Sequence, residues 1–250
     1  MSVELYNLEA NSLLSLLPNE SVSLILTDPP WNTGGKRTAE AGTYNDKQDH
    51  DAYIEYMSQF LRLARIALTA SGTLALWTDY RYHPYLCVAG DGVFGRDNRV
   101  GEIVIESLLG KPATKNWPVK HSNIALFAKD AAKQQFHSER LPMVDRRAGG
   151  QKRVTTNGKT YDYTGQKKIA SVISATMSNT DPERVDYPDQ KPVWVYETLI
   201  RCFTEEGQLV IDPFAGSGTC GAACLSTNRA CVLADTSEQA HVSIRKRLNL

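Results

Sequence analysis

Short apolar runs alternate along this chain with longer segments whose apolar positions recur every three or four residues. Val3-Glu4-Leu5-Tyr6, Val22 to Thr27, Thr73 to Trp77, Gly101 to Glu106, Ser122 to Ala128, Leu209 to Ile211 and Cys231 to Ala234 read as seven strands. Leu8 to Leu17 reads as a helix with its leucines on one face, closed by Pro18. Asp51 to Thr69 carries Tyr53, Tyr56, Met57, Phe60, Leu61, Ala64 and Leu68 at helical spacing and is ended by Gly72. Thr219 to Ser226 and Glu238 to Leu248 complete the helices that the pattern predicts. Strands separated by helices predict an α/β fold. From about residue 130 to 186 the rhythm fails. RRAGGQKRVTTNGKTYDYTGQKK is polar, basic and turn-rich, and reads as an inserted region or long loops that a partner would order.

Composition narrows this only a little. A chain of 250 residues allows one large domain carrying an insertion. Its 42% hydrophobic and 22% charged residues are those of a water-soluble globular protein, and no apolar stretch is long enough to span a bilayer. The start, MSVELYNLEA, lacks the basic and apolar regions of a secretion signal, so a cytoplasmic protein is expected. The five cysteines form no C-x-x-C pair, which indicates neither a disulfide framework nor a zinc site, and buried thiols are expected. The formal net charge is zero, but Lys129 to Lys168 holds ten Lys/Arg against four Asp/Glu, a local balance of +6. The positive charge is therefore concentrated in the stretch that breaks the α/β rhythm.

Two strand ends carry candidate chemistry. In LILTDPPWNTGG, residues 24–35, a buried strand stops at Asp28-Pro29-Pro30-Trp31. Two prolines remove two donors and stiffen the loop, holding an acid and a large ring where open α/β sheets bind ligands. Taken alone, this is equally an ordinary turn. In LVIDPFAGSGTCGAACLSTNRACVLAD a strand runs into Asp212-Pro213-Phe214 and then Gly216-Ser217-Gly218-Thr219 before a helix, with Asp235 after the next strand. Glycines at such a turn admit close approach to a ligand, and the later acid can take ribose hydroxyls, features that serve any adenosine-containing cofactor.

Together the two motifs resemble the DNA amino-methyltransferases that use S-adenosyl-L-methionine, in particular their circularly permuted β-group. That group has a D/S/N-P-P-Y/W/F motif first, a target-recognition region next, and an F-x-G-x-G motif last. WNTG (31–34), DQKPVWVYETLI (189–200), DTSEQAHVSIRKRL (235–248) and the N-terminal YNLEANSLLSLLPNESVSLILTDPP extend the resemblance over most of 1–128 and 187–250. Glu9 stands where the family usually has Asp, and Ala240 where it often has Tyr. The resemblance implies a Rossmann-like sheet of seven mostly parallel strands with helices on both faces. It divides the chain into a catalytic half (1–128), a target-recognition insertion (129–186) and a cofactor half (187–250). It also implies double-stranded DNA as partner, no membrane, an activity found in restriction-modification systems, and compatibility with a homodimer.

The chemistry assigns roles within that frame. The exocyclic amine of adenine or cytosine is a poor nucleophile, because its lone pair is delocalised into the ring. Asp28 can accept one amine hydrogen and a backbone carbonyl of the Pro29-Pro30 turn, Pro30 by the resemblance, the other. Trp31 offers a stacking face for a base flipped out of the duplex. None of the cysteines follows a proline, unlike the nucleophile of cytosine carbon-5 enzymes. For the cofactor, the resemblance implies Gly216, Ser217, Gly218 and Thr219 as the loop, Phe214 packed beside it, Asp212 on the amino group and Asp235 on the ribose. Glu9 would meet the adenine edge or cap a helix, and Lys191 would lie in the cofactor pocket or start a helix. Lys152, Arg153, Lys159, Lys167 and Lys168 are the expected phosphate contacts, with a solvated basic face as their alternative. By the resemblance, Asp at position 28 points to adenine-N6 methylation, since Ser is commoner there in the family's cytosine-N4 enzymes. Cytosine-N4 methylation, RNA adenine methylation, a non-catalytic nucleic-acid-binding subunit and a nicotinamide dehydrogenase are the other readings.

Overall fold

The computed structural model describes residues 2–34, 36–39, 42–107, 117–145, 153–156, 159–162, 165–178, 180–185 and 187–250. In chain order the elements are β1 (Val3–Tyr6), α1 (Ala10–Leu16), β2 (Val22–Thr27), β3 (Lys36–Ala39), β4 (Gly42–Asn45), α2 (His50–Ala67), β5 (Leu68–Thr78), α3 (His83–Phe94), β6 (Arg99–Glu106) and β7 (His121–Ala128). There follow β8 (Met143–Asp145), β9 (Arg153–Thr156), β10 (Lys159–Asp162), β11 (Gln166–Lys168), β12 (Val172–Ser174), α4 (Val193–Phe203), β13 (Leu209–Asp212), α5 (Thr219–Ser226), β14 (Ala230–Ala234) and α6 (Glu238–Leu248).

The main sheet runs β1-β14-β13-β2-β5-β7-β6-β12. It has eight strands where the sequence predicts seven, because β12, within the basic stretch, pairs in parallel with β6. Only the two pairings of β7, with β5 and with β6, are antiparallel. The other pairs are parallel, and parallel strands need both faces covered.

Alternation along the strands supplies that cover on both sides. Leu24, Leu26, Ala75, Trp77, Val210, Cys231 and Leu233 face α4, α5 and α6. Ile25, Leu74, Leu76, Ile211 and Val232 face α1, α2 and α3. Successive side chains of a strand point to opposite faces, so a wholly apolar strand such as β2 feeds two cores at once. Its six residues are all buried.

The layering creates a crevice. β2 leads into α2 on one face, whereas its neighbour β13 leads into α5 on the other. The two strands are parallel, with Val210 beside Leu24 and Ile211 beside Ile25. Their carboxyl ends therefore lie together where the connections diverge, the place at which open α/β sheets bind ligands. No helix among the described residues is long and apolar enough to cross a membrane.

Candidate active site

Each of the two strand ends delivers an acid. Asp212 closes β13 almost completely buried, accepting from the Thr27 hydroxyl at 2.6 Å and from the Phe214 amide at 3.1 Å. Burial pushes its carboxyl up to about 7, against the pull of those two hydrogen bonds. Asp28 follows β2, and both of its oxygens are engaged. The Trp31 indole donates to Oδ1 at 2.8 Å, and the Lys191 ammonium pairs with Oδ2. The sequence motif thus folds back on itself: the ring of D-P-P-W is tethered to its own acid.

The loop from Asp28 to Trp31 is held by more than its prolines. The Tyr53 hydroxyl, from α2, donates to the Pro30 carbonyl at 2.8 Å. Asn32 sits in the left-handed region (φ 55°) and donates to the Tyr82 hydroxyl at 2.7 Å, while its own carbonyl oxygen accepts from the Gln48 amide at 2.6 Å. The buried Asp46 accepts from the amides of Thr33 and Gly34 at 3.2 and 2.8 Å. The carbonyl of Pro29 accepts from no described residue.

The second loop is clamped from the far end of the chain. Gly216 and Gly218 have φ of 47° and 76°, a backbone that favours glycine. A Cβ would lie 3.2 Å from the Tyr187 ring at Gly216 and 3.1 Å from Ile244 at Gly218. Both glycines therefore have a reason internal to the fold beside the ligand approach inferred from sequence. Asp235 receives the Gly216 amide at 2.9 Å and the Ser237 amide at 2.8 Å. Arg247 donates to the Ser217 carbonyl at 3.1 Å and the Thr219 hydroxyl at 3.2 Å. The Ser217 and Thr219 hydroxyls lie 2.9 Å apart. Phe214 packs beside Phe60 and Tyr56, with ring centroids 5.6 and 6.5 Å away.

Glu9 caps α1, accepting from the Ser12 amide at 3.1 Å, and its other oxygen takes the Tyr56 hydroxyl. Lys191 stands just before Pro192, the N-cap of α4, as the second of its two expected readings has it. Its backbone carbonyl touches the glycine loop, accepting from Thr219 at 3.3 Å, but its side chain crosses to Asp28. The turn before it explains the reach. Asp189 is left-handed (φ 56°), and the buried Gln190 ties down the 183–185 loop. Pro192 then starts α4.

Of the expected phosphate contacts, Lys159, Lys167 and Lys168 are exposed, whereas Lys152 and the side chain of Arg153 lie outside the described residues. Other cations of the basic stretch are spent within the fold. Lys129 pairs with Glu20, Lys133 with Asp130, and Arg140 with Glu205. The five cysteines are free and buried, and Cys220, Cys224 and Cys231 bring their sulfurs within 4.8 Å of one another, a grouping that no C-x-x-C spacing announces.

Sequence reasoning placed Tyr53 and Tyr56 in the core and did not foresee their hydroxyls reaching the loops; nor did it foresee Arg247, Tyr187 or Trp77. The signal for the tyrosines was a phenol at a core-facing helical position, which when buried finds a partner.

A model of the N6/N4 DNA methylases matches residues 22–246. Type II methyltransferase M.HpaI of Haemophilus parainfluenzae is 26% identical, over 94% of this chain and 71% of that protein. The DNA adenine methyltransferase YhdJ of Escherichia coli (strain K12) is 25% identical, over 88% and 74%. Among solved structures, the cytosine-N4-specific PvuII DNA methyltransferase superposes with a TM-score of 0.75 at 15% identity, covering 99% of this chain and 86% of that one. M1.HpyAVI, solved as a complex with SAM, gives 0.64 at 18% identity and covers both chains fully. The motif order, the crevice between β2 and β13 and the match across 22–246 agree: the chain belongs to the N6/N4 DNA methylase family.

Proposed function

We propose that this protein methylates the exocyclic N6 of an adenine flipped out of duplex DNA, with S-adenosyl-L-methionine as donor. The observation that carries the reading is the juxtaposition of Asp28 and Trp31 at the end of β2 with Asp212 and the glycine loop at the end of the adjacent β13. One strand end presents an acceptor and a ring for a base, and the other presents a buried acid beside a close-approach loop.

The residues suit the donor's chemistry. Asp212 is the group to hold its amino group, Asp235 its ribose, and Gly216 to Thr219 its methionine end, with Phe214 alongside. When bound, the donor supplies an electrophilic methyl on a cationic sulfur. The rest falls to the chain. Asp28 accepts one hydrogen of the amine, so that the nitrogen lone pair localises as it becomes tetrahedral. A second acceptor comes from the Pro-Pro turn. The Pro30 carbonyl already accepts from Tyr53, whereas the Pro29 carbonyl accepts from no described residue, so we take Pro29 as that acceptor. Trp31 stacks the base, and the loop stapled by Tyr53, Asn32 and Asp46 is fixed before substrate arrives, which lowers the cost of ordering it. Once methyl has transferred, the amine's proton leaves through Asp28 or water.

Asp rather than Ser at position 28 and the adenine specificity of the relative YhdJ support adenine over cytosine. Residues 129–186 are proposed as the DNA-facing insertion on the strength of the exposed Lys159, Lys167 and Lys168. The test is incubation of duplex DNA with methyl-labelled donor, digestion to nucleosides and chromatography. Label in N6-methyl-2′-deoxyadenosine is expected. Label in N4-methyl-2′-deoxycytidine would reassign the base, and no label in either would overturn the reading.

A further inference from the structure

We propose that Lys191 is a placeholder for the target amine, and that the base enters by displacing it. The inference rests on the reading of Asp28 and Trp31 given above and deepens it. The Lys191 ammonium lies 4.7 Å from the centroid of the Trp31 ring and 5.3 Å from that of Trp77. It donates to Asp28 and, at 3.1 Å, to the Asp189 carbonyl. Both side chains of the pair are largely withdrawn from water, 12% exposed for Lys191 and 19% for Asp28. A nitrogen donor with hydrogens on Asp28 and a ring face beneath it is what the exocyclic amine of a flipped base would be.

Three consequences follow from elementary chemistry. A carboxylate has acceptor sites to spare, but the ammonium fills the space beside the ring, so base and Lys191 exclude one another. The ammonium keeps the buried Asp28 charge paired while no base is present. The lysine can leave without unfolding its surroundings. Its backbone is fixed by Thr219 and by Pro192 at the start of α4, whereas its side chain turns about four bonds. Trp77 joins the pocket as a second wall, held from behind by Tyr196, stacked at 5.9 Å. Lys191 thereby belongs to the base side rather than to the cofactor pocket, one of the two surroundings expected for it.

The test uses the full chain and free nucleosides. Adenosine, cytidine and uridine are titrated against wild type, Lys191→Met, Lys191→Leu and Lys191→Arg, following quenching of tryptophan fluorescence. Melting curves confirm that each variant folds, and the two neutral variants guard against the failure of either one. The neutral variants are expected to bind an amine-bearing nucleoside roughly tenfold more tightly than wild type, the scale of one charge-assisted hydrogen bond. Uridine, which has no exocyclic amine to place on Asp28, gains less, and Lys191→Arg, which keeps a cation in the slot, stays near wild type. Equal or weaker binding by both neutral variants would overturn the proposal, as would the absence of quenching by any nucleoside in every variant. Calorimetry of wild type with S-adenosyl-L-methionine separates the two readings. If the donor binds but the neutral variants gain nothing, the placeholder alone fails. If the donor does not bind, the methyltransferase reading itself fails.

Discussion

Asp28 and Asp212 sit at neighbouring strand ends, yet their surroundings give them opposite tasks. Asp28 is met by donors from side chains that can move, so its partners are exchangeable. Replacing it by Ala should lower the turnover rate about 10²- to 10³-fold, the range for losing one preorganised hydrogen-bonding group. Donor affinity measured by calorimetry should be unchanged; a matching loss of affinity would place Asp28 in the cofactor site. Asp212 is different, because burial raises its carboxyl from 3.8 to about 7. Between those values the folded protein holds a proton that the unfolded chain releases. The contribution of this group to stability is therefore largest in acid, falls as pH rises through that window and levels off above about 7. Asp212→Asn should remove that slope, so melting curves should show the variant gaining on wild type from about pH 4 to pH 7. If ionised Asp212 holds the donor's amino group, wild-type affinity for the donor should weaken as pH falls below about 7, and the variant's affinity should be weak throughout. An affinity independent of pH would take Asp212 out of that role.

At the scale of elements, the fold turns loops into rigid parts by bringing in residues distant along the chain. Tyr53 reaches Pro30 across 23 positions, and Arg247 reaches Ser217 across 30. Tyr53→Phe keeps the ring and removes only the donor, so it should cost about 0.5–1.5 kcal/mol of stability. It should also lower turnover while leaving donor affinity intact; single-turnover kinetics beside a denaturant melt would show both, and a purely structural bond would move only the melt. The glycine loop gives the complementary case. Gly218→Ala meets both a left-handed backbone and the nearby Ile244, and should cost roughly 1–2 kcal/mol before any ligand is considered. A loss of activity there would not by itself report on the cofactor. These long-range contacts mark where the sequence stops being readable. α5 and α6 begin and end where the apolar spacing puts them, because Gly218 and Ser217-to-Thr219 chemistry at one start and Ser237 at the other punctuate the chain. α3 was not foreseen: HPYLCVAGDGVF is apolar nearly all round and carries two glycines, so it shows little 3.6-residue period. α4, VWVYETLIRCF, opens on β-branched and aromatic residues that fit a strand as well as a helix. β5 starts at Leu68 rather than Thr73, because Gly72 lies within the strand and does not end the helix. The three residues of β12 are too few to show any period. Asp28, Trp31 and the glycine loop were legible because their chemistry is local. Trp77, Tyr187 and the crossing of Lys191 to Asp28 were not, because they exist only once β2, β5 and the start of α4 are packed together.

For the whole molecule the question is how a chain of zero net charge holds a polyanion. The local excess of the 129–168 stretch overstates the cation available, since Lys129, Lys133 and Arg140 are paired with acids of the same chain. Lys159, Lys167 and Lys168 are exposed, and β11, which carries the last two, is a strand apart from the main sheet, paired with β8. A phosphate contact releases condensed counterions, so each contributes about 0.9 to the slope of log affinity against log salt. Neutralising all three as Lys→Gln should flatten that slope by roughly 3 if each meets a phosphate. Target and non-target duplexes should lose affinity alike, because phosphates carry no sequence information. Replacing Lys129, Lys133 and Arg140 together changes the formal charge equally, but should leave the slope near its wild-type value, because those cations already have partners. Comparing the two triple variants by fluorescence anisotropy over a salt series therefore separates contact from net charge. Equal flattening in both would mean that DNA senses only overall charge. Parallel lines of equal affinity for the first variant would leave these lysines as a solvated face. A loss confined to one duplex would mean that these lysines read bases.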